Sequence, residues 1–160
     1  MNDCILELKD VVKTFGGVTA LSGVQFQLKK GEVHALMGEN GAGKSTFIKV
    51  ITGVHKPDSG VILLEGEKVS FKSTVESQKL GIAAIYQHVT SFPDISVTEN
   101  IFMGQEIITK FGTYNWPEMR RRAKNYIASL SPDIDVTKPM SSLSVAQQQL
   151  VEIAKALSRD

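Results

Sequence analysis

Cysteine is nearly missing from this 160-residue chain: Cys4 stands alone. Disulfides therefore explain nothing of its stability, and a reducing cytosol is the expected setting. An excess of charge of either sign is missing too. The 18 Lys and Arg residues against 17 Asp and Glu leave a formal net charge of +1. No strong field draws such a chain to nucleic acid, and no nucleic-acid partner is expected. His34, His55 and His88 are the only histidines and lie far apart in sequence, so no metal-ligand spacing appears. No apolar run approaches the roughly 20 residues that span a bilayer. The opening MNDCILELKD carries early acidic residues and no apolar core after them, which is not the plan of a signal peptide. Internal repeats and low-complexity segments are absent. What remains is a composition of 42% hydrophobic and 22% charged residues, ordinary for a soluble domain or a piece of one, and long enough to bury a core.

Strand patterns dominate the first half. Ile5, Leu6, Leu8, Val11 and Val12 form a strand-like stretch that ends near Phe15. VQFQL alternates strictly, with Val24, Phe26 and Leu28 on one face. VHALMG, residues 33–38, is continuously apolar and predicts a buried strand. VILLEGEKVSF predicts a hairpin turning at Glu65-Gly66-Glu67. GIAAIYQ, residues 81–87, predicts another buried strand. Helical patterns follow. VTENIF has a threonine cap signal at Thr98, and NWPEMRRRAKNYIASL places Pro117 near a first helical turn, where its missing N–H costs little. SPDIDVTKPM is a proline-containing loop. It leads to LSVAQQQLVEIAKALSRD, in which Ser144 and Gln147 have the form of a capping box. Ala146, Leu150, Ile153, Ala154 and Leu157 line one face of the helix expected behind it.

The clearest chemical signal is GENGAGKST, residues 38–46. It fits G-x-x-x-x-G-K-[ST], with an apolar run before it and FIKVITG, a helix expected to end at Gly53, after it. A phosphate chain carries several negative charges and many acceptor oxygens. Gly38, Gly41 and Gly43 let the backbone curl so that its N–H groups converge on phosphate. The helix beginning near Lys44 adds its positive end. Lys44 reaches the β- and γ-oxygens, and the Ser45 hydroxyl suits Mg²⁺. The candidate nucleotide-binding residues of this loop are Gly38, Glu39, Asn40, Gly41, Ala42, Gly43, Lys44, Ser45 and Thr46.

A P-loop alone serves GTPases, small-molecule kinases, motors and transporters. No Asn-Lys-x-Asp segment for guanine recognition occurs. The arginines of a kinase lid have one candidate, Arg120 to Arg122, but three successive helical residues point in different directions and read as a solvated face.

Three further segments, in order along the chain, carry a resemblance. LSVAQ, residues 143–147, follows the P-loop, IYQ ends at Gln87 between them, and Phe15 closes the first strand. In this combination the sequence resembles the ATP-binding-cassette family over its whole length. LSVAQ resembles the family's signature motif, usually Leu-Ser-Gly-Gly-Gln, and so implicates Leu143, Ser144, Val145, Ala146 and Gln147. Val145 and Ala146 stand where the family commonly has two glycines. Gln87 matches the glutamine that in the family touches Mg²⁺ and the attacking water and faces the membrane partner. Phe15 matches the aromatic residue that stacks on adenine, where tyrosine is common. The resemblance implies an α/β P-loop cassette with an antiparallel β subdomain and a helical subdomain. Residues of about 1–90 would form the P-loop core and β subdomain, and about 91–157 the helical subdomain. It implies ATP and Mg²⁺ as ligands. It also implies a second cassette paired head to tail, so that each signature helix caps the γ-phosphate held by the other subunit's P-loop.

SFPDISVTENIFMGQE and LSVAQQQLVEIAKALS are similar to the ATPases of simple-sugar importers of the ribose, galactose and xylose type. That resemblance implies a peripheral location at the cytoplasmic face of a membrane, permease partners and, more distantly, a sugar-binding protein. In the family a strand ending in an Asp and a Glu comes next, then a histidine that senses the γ-phosphate. The chain ends before them and is expected to be the front of a first cassette. VILLEGE ends in a carboxylate but turns at Gly66 and precedes Gln87, so Glu65 is not taken for that glutamate. The expected function is ATP hydrolysis coupled to sugar import, the chain as given binding nucleotide with little hydrolysis. A non-catalytic nucleotide-binding module and a cassette ATPase of a non-transport process are the alternatives.

Overall fold

The apolar alternation that opens the chain folds into two long strands, β1 (Cys4–Phe15) and β2 (Val18–Lys29). The computed structural model describes residues 3–85 and 91–158. Two units divide the chain, one through Ile82 and one from Ala83.

In the first unit β1 pairs antiparallel with β2, setting Leu6 opposite Leu28 and Leu8 opposite Phe26. The expected hairpin forms as β3 (Ser59–Leu64) and β4 (Glu67–Val69), turning at Glu65-Gly66 with both residues at positive φ. β3 pairs antiparallel with β1, giving the sheet order β2-β1-β3-β4. One of the register shifts along β1 falls between Leu8 and Val11. Leu6 and Leu8 are buried two apart, and the next buried residue is Val11. Asp10, at φ 51, absorbs the extra residue where the register shifts. Gly60 faces this bulge, and a Cβ there would lie 2.5 Å from the Asp10 carbonyl oxygen, so only glycine allows the approach.

One helix, α1 (Lys44–Ile51), buries Phe47 and Val50 against this sheet, in a core with Leu6, Leu8, Val11, Leu21, Ile62 and Phe71. Val24, Phe26 and Leu28, the face expected from alternation, pack on the same core. A short helix, α2 (Thr74–Lys79), was not expected, although its signal is present: Ser73 caps it by accepting the Glu76 N–H.

Two expected strands are corrected. Residues 33–38 form no strand, and Val33 and Met37 are 98% and 88% exposed. Residues 82–85 are likewise neither strand nor helix, and Tyr86 and Gln87 lie outside the described residues. The physical reason is the same for both. A strand is held by its neighbours' hydrogen bonds, and buried parallel strands need neighbours on both sides. Among the described residues every strand of the sheet is antiparallel, and none pairs with either segment.

The second unit is helical: α3 (Val97–Phe102), α4 (Trp116–Ala128) and α5 (Val145–Leu157). Its core joins Val97, Ile101, Met119, Ala123, Ile127, Met140, Val151 and Ala154. The cap of α3 is Ser96, not Thr98. Ser96 and Glu99 form a full capping box, whereas Thr98 is buried and donates its hydroxyl to the Val136 carbonyl at 2.8 Å. The buried face of α5 is also displaced from expectation. Val151 and Ala154 are its buried residues, while Ala146 and Leu157 are exposed. Pro117 sits in the first turn of α4 as expected, behind an Asn115 cap.

Candidate nucleotide-binding site

The loop before α1 is shaped by a glycine at the helix start and by a tight turn within the loop. Gly43, the N-cap of α1, is left-handed at φ 82. A Cβ there would run into the Ala20 carbonyl oxygen of β2 and come within 3.1 Å of Leu21. Glycine is therefore what lets the helix start lie directly on the sheet. Glu39 accepts the Ala42 N–H, closing a tight turn inside the loop.

The electrostatics favour an anion. α1 starts with no side-chain cap and no acidic residue in its first turn. By contrast α2, α3 and α4 each have a side-chain cap and a glutamate in the first turn. The unsatisfied amides and the positive end of α1 are thus left for something else. Lys44 folds back over the loop and donates to the carbonyls of Gly38 and Glu39, each at 2.6 Å. The ammonium is so held against the loop backbone, with two bonds it can exchange for bonds to a charged phosphate. Ser45 is exposed and Thr46 half-exposed, and neither hydroxyl is engaged among the described residues. A free hydroxyl oxygen beside a phosphate cradle suits a hard cation such as Mg²⁺, which takes oxygen ligands. The residues present fit both groups.

Phe15 ends β1 and is 41% exposed. Its ring meets His55 edge to face, centroids 5.0 Å apart and 64° between planes. The Lys13 ammonium lies 5.3 Å from the ring centroid. Lys13 also bonds Asp58 Oδ1 at 2.7 Å, while Asp58 Oδ2 accepts the Thr14 N–H at 2.7 Å. The Lys13 hydrogen bond first, then that from Thr14, hold the Asp58 carboxyl below its usual range. His55, Lys13 and Asp58 were missed by sequence reasoning. Lys13 is two residues away on β1; His55 and Asp58 reach Phe15 because Asp58 donates its N–H to Val12 and Ser59 pairs with Val12, a contact between distant segments with no local signal.

The signature-like residues lie in the second unit. Ser144 caps α5 in a complete box: its Oγ accepts the Gln147 N–H at 3.3 Å, and Gln147 Oε1 accepts the Ser144 N–H at 3.0 Å. Val145 is 67% exposed and Ala146 is exposed. Leu143 is half-buried on the helical core. Gln148, not singled out by the motif, fixes the approach to the helix by donating to the Met140 and Leu143 carbonyls. Gln87 lies outside the described residues. Of the three successive arginines, Arg121 and Arg122 both bind Glu118 at 2.7 Å on the exposed face of α4.

Comparison with known proteins agrees with this geometry. Residues 21–160 match the family described as ABC transporter. A putative ribose/galactose/methyl galactoside import ATP-binding protein 1 from Burkholderia cenocepacia (strain HI2424) is 48% identical over 160 residues, all of this chain and 30% of that protein. The ribose import ATP-binding protein RbsA from Rhodococcus jostii (strain RHA1) is 49% identical over 156 residues, 98% of this chain and 31% of that protein. The chain therefore spans about a third of the length of these curated relatives. Among solved structures, the ADP conformation of MJ1267, an ATP-binding cassette of an ABC transporter, superposes with a TM-score of 0.80 at 30% identity, covering 98% of this chain and 65% of that one. With the family matched over most of its length and its P-loop lying against a sheet strand, the chain belongs to the ATP-binding-cassette transporter family.

Proposed function

We propose that the chain is the nucleotide-binding front part of an ATPase that couples ATP binding and hydrolysis to the import of a simple sugar. The observation that carries this is the start of α1: an uncapped helix end on a glycine N-cap, with Lys44 held over the loop. The sugar assignment is supported by the names of the import proteins that share nearly half of its residues.

The loop amides and the end of α1 bind the β-phosphate. Lys44 leaves the Gly38 and Glu39 carbonyls for the β- and γ-oxygens. Ser45, with Gln87, holds Mg²⁺, which when bound neutralises phosphate charge. Phe15 receives the adenine on its exposed ring. Leu143 to Gln147 serve in trans, the Ser144 hydroxyl and the α5 amides reaching phosphate on a second cassette. Because Ser144 is closed by its own box with Gln147, that contact requires the box to open or share its hydroxyl. The partners are a second cassette and membrane permease subunits at the cytoplasmic face, with a sugar-binding protein further away. The domain division proposed is a P-loop and β part to about residue 90 and a helical part over about 91–157.

The test is Lys44→Ala with ATP affinity measured by calorimetry. Each charge-assisted hydrogen bond lost is worth about 1.5–3 kcal/mol, so affinity should fall more than about tenfold. The circular dichroism should not change, because Lys44 bonds only to loop carbonyls. Unchanged affinity in the folded variant would overturn the P-loop reading.

A further inference from the structure

Phe15 does not stand free at the end of β1. Its ring contacts His55, from the loop that joins α1 to β3. We propose that His55 is a positioning residue for nucleotide affinity, bracing the Phe15 ring in the orientation that receives the base; this rests on the reading of Phe15 as the adenine platform.

A half-exposed phenylalanine at a strand end samples several rotamers, and fixing them on binding costs affinity. A ring already held in an edge-to-face pair has lost that freedom beforehand. His55 is itself well held. Its backbone N–H donates to the Lys49 carbonyl at 3.0 Å, in the last turn of α1. The brace is therefore fixed to the same helix whose other end forms the phosphate cradle. It links the surface for the base to the surface for the phosphates through one rigid element. A second restraint acts from the strand side. Asp58, three residues after His55, accepts the Thr14 N–H and so fixes the Lys13–Thr14 peptide, one residue before Phe15. The same carboxylate holds the Lys13 ammonium near the ring. Lys13 and Asp58, the charged pair at this strand end, are bonded to each other at 2.7 Å and offset each other's charge. That leaves His55 to act through ring contact.

The experiment compares ATP with inorganic tripolyphosphate, which carries the phosphates and no base. Both affinities are measured on the full chain and on Phe15→Ala, His55→Ala and His55→Phe. Phe15→Ala should weaken ATP alone. His55→Ala should weaken ATP roughly three- to tenfold, the scale of an aromatic pair, and leave tripolyphosphate within about twofold. His55→Phe restores an aromatic partner and should return ATP affinity to that of the parent. Unchanged ATP affinity in His55→Ala, alongside a Phe15→Ala loss, overturns the brace and spares the platform. Equal losses for both ligands in His55→Ala place its effect on α1 rather than on the ring and also overturn it. A loss in His55→Ala that His55→Phe does not repair does the same. If Phe15→Ala affects neither ligand, or both equally, the platform reading fails and the brace falls with it.

Discussion

Gly43 shows how much one residue decides here. Its left-handed φ of 82 disfavours a side chain, and its contact with the Ala20 carbonyl leaves no room for a Cβ. Gly43→Ala should cost about 1–2 kcal/mol for the left-handed conformation alone. The clash adds to this by pushing α1 off β2. A urea midpoint should fall, and nucleotide affinity should fall with it, because the helix end that faces phosphate moves. An unchanged midpoint would show that the close approach has no energetic weight. At this scale the sequence was informative where chemistry is local. Gly38, Lys44 and Ser45, the residues proposed to hold phosphate and metal, lie within one loop or at its edge, so their spacing alone singles them out. Phe15 was legible only through resemblance. His55 and Asp58 were not legible at all, because β1 and β3 bring them to Phe15 from far along the chain.

The helices behind Ser144 and at Pro117 formed where the sequence placed them. The Ser144–Gln147 box and Pro117 behind Asn115 are contacts within four residues, and each can be read before any tertiary structure exists. The misplaced cap of α3 is instructive. Thr98 and Ser96 are both good caps by type, but Glu99 stands three residues after Ser96, and that spacing decides. Side-chain pairs along α4 give a testable pH effect. Glu118 accepts from Arg121 and Arg122, which with their charges lower its carboxyl from 4.5 to about 2. The folded-state value is depressed, so this contribution is fully present above the unfolded value near 4.5. It is lost as pH falls from there towards 2. Glu118 is on the surface, so the effect is small and weakened further by salt. Glu118→Gln should unfold at lower urea than the parent at pH 6, and the gap should close by pH 2. A gap that does not narrow with acid would show that the arginine pairs contribute nothing to folding.

Among the described residues, hairpin pairing and the β1–β3 pairing are built, and the expected buried strands are not. β1 with β2 and β3 with β4 are hairpins whose partners follow within a few residues. Residues 33–38 have the composition of a buried strand, yet Val33, Leu36 and Met37 are exposed. Composition shows that such a segment wants burial, but it cannot supply the neighbour that provides it. The chain also covers only about a third of its curated relatives. Turnover is the property in which this matters most. Hydrolysis needs a base for the attacking water and a fully held metal ion, beyond the cradle that binds phosphate. Of the groups proposed for the site, Lys44 and Ser45 bind, and the amide of Gln87 is neutral and cannot act as a base. Glu65 is a carboxylate, but it sits in the β3–β4 turn at φ 51, paired through its N–H to the Ile5 carbonyl at the far edge of β1 from Phe15. Residues 1–160 should therefore bind Mg-nucleotide weakly and release phosphate negligibly, and Glu65→Gln should change nothing. A longer chain that adds the strand and histidine expected from the family should be faster by several orders of magnitude. General-base catalysis alone is typically worth about 10²–10⁴-fold. Steady-state phosphate release on both chains decides the matter. Rapid hydrolysis by residues 1–160 that disappears in Lys44→Ala and in Glu65→Gln would make Glu65 the base and overturn the assignment of catalysis to other residues.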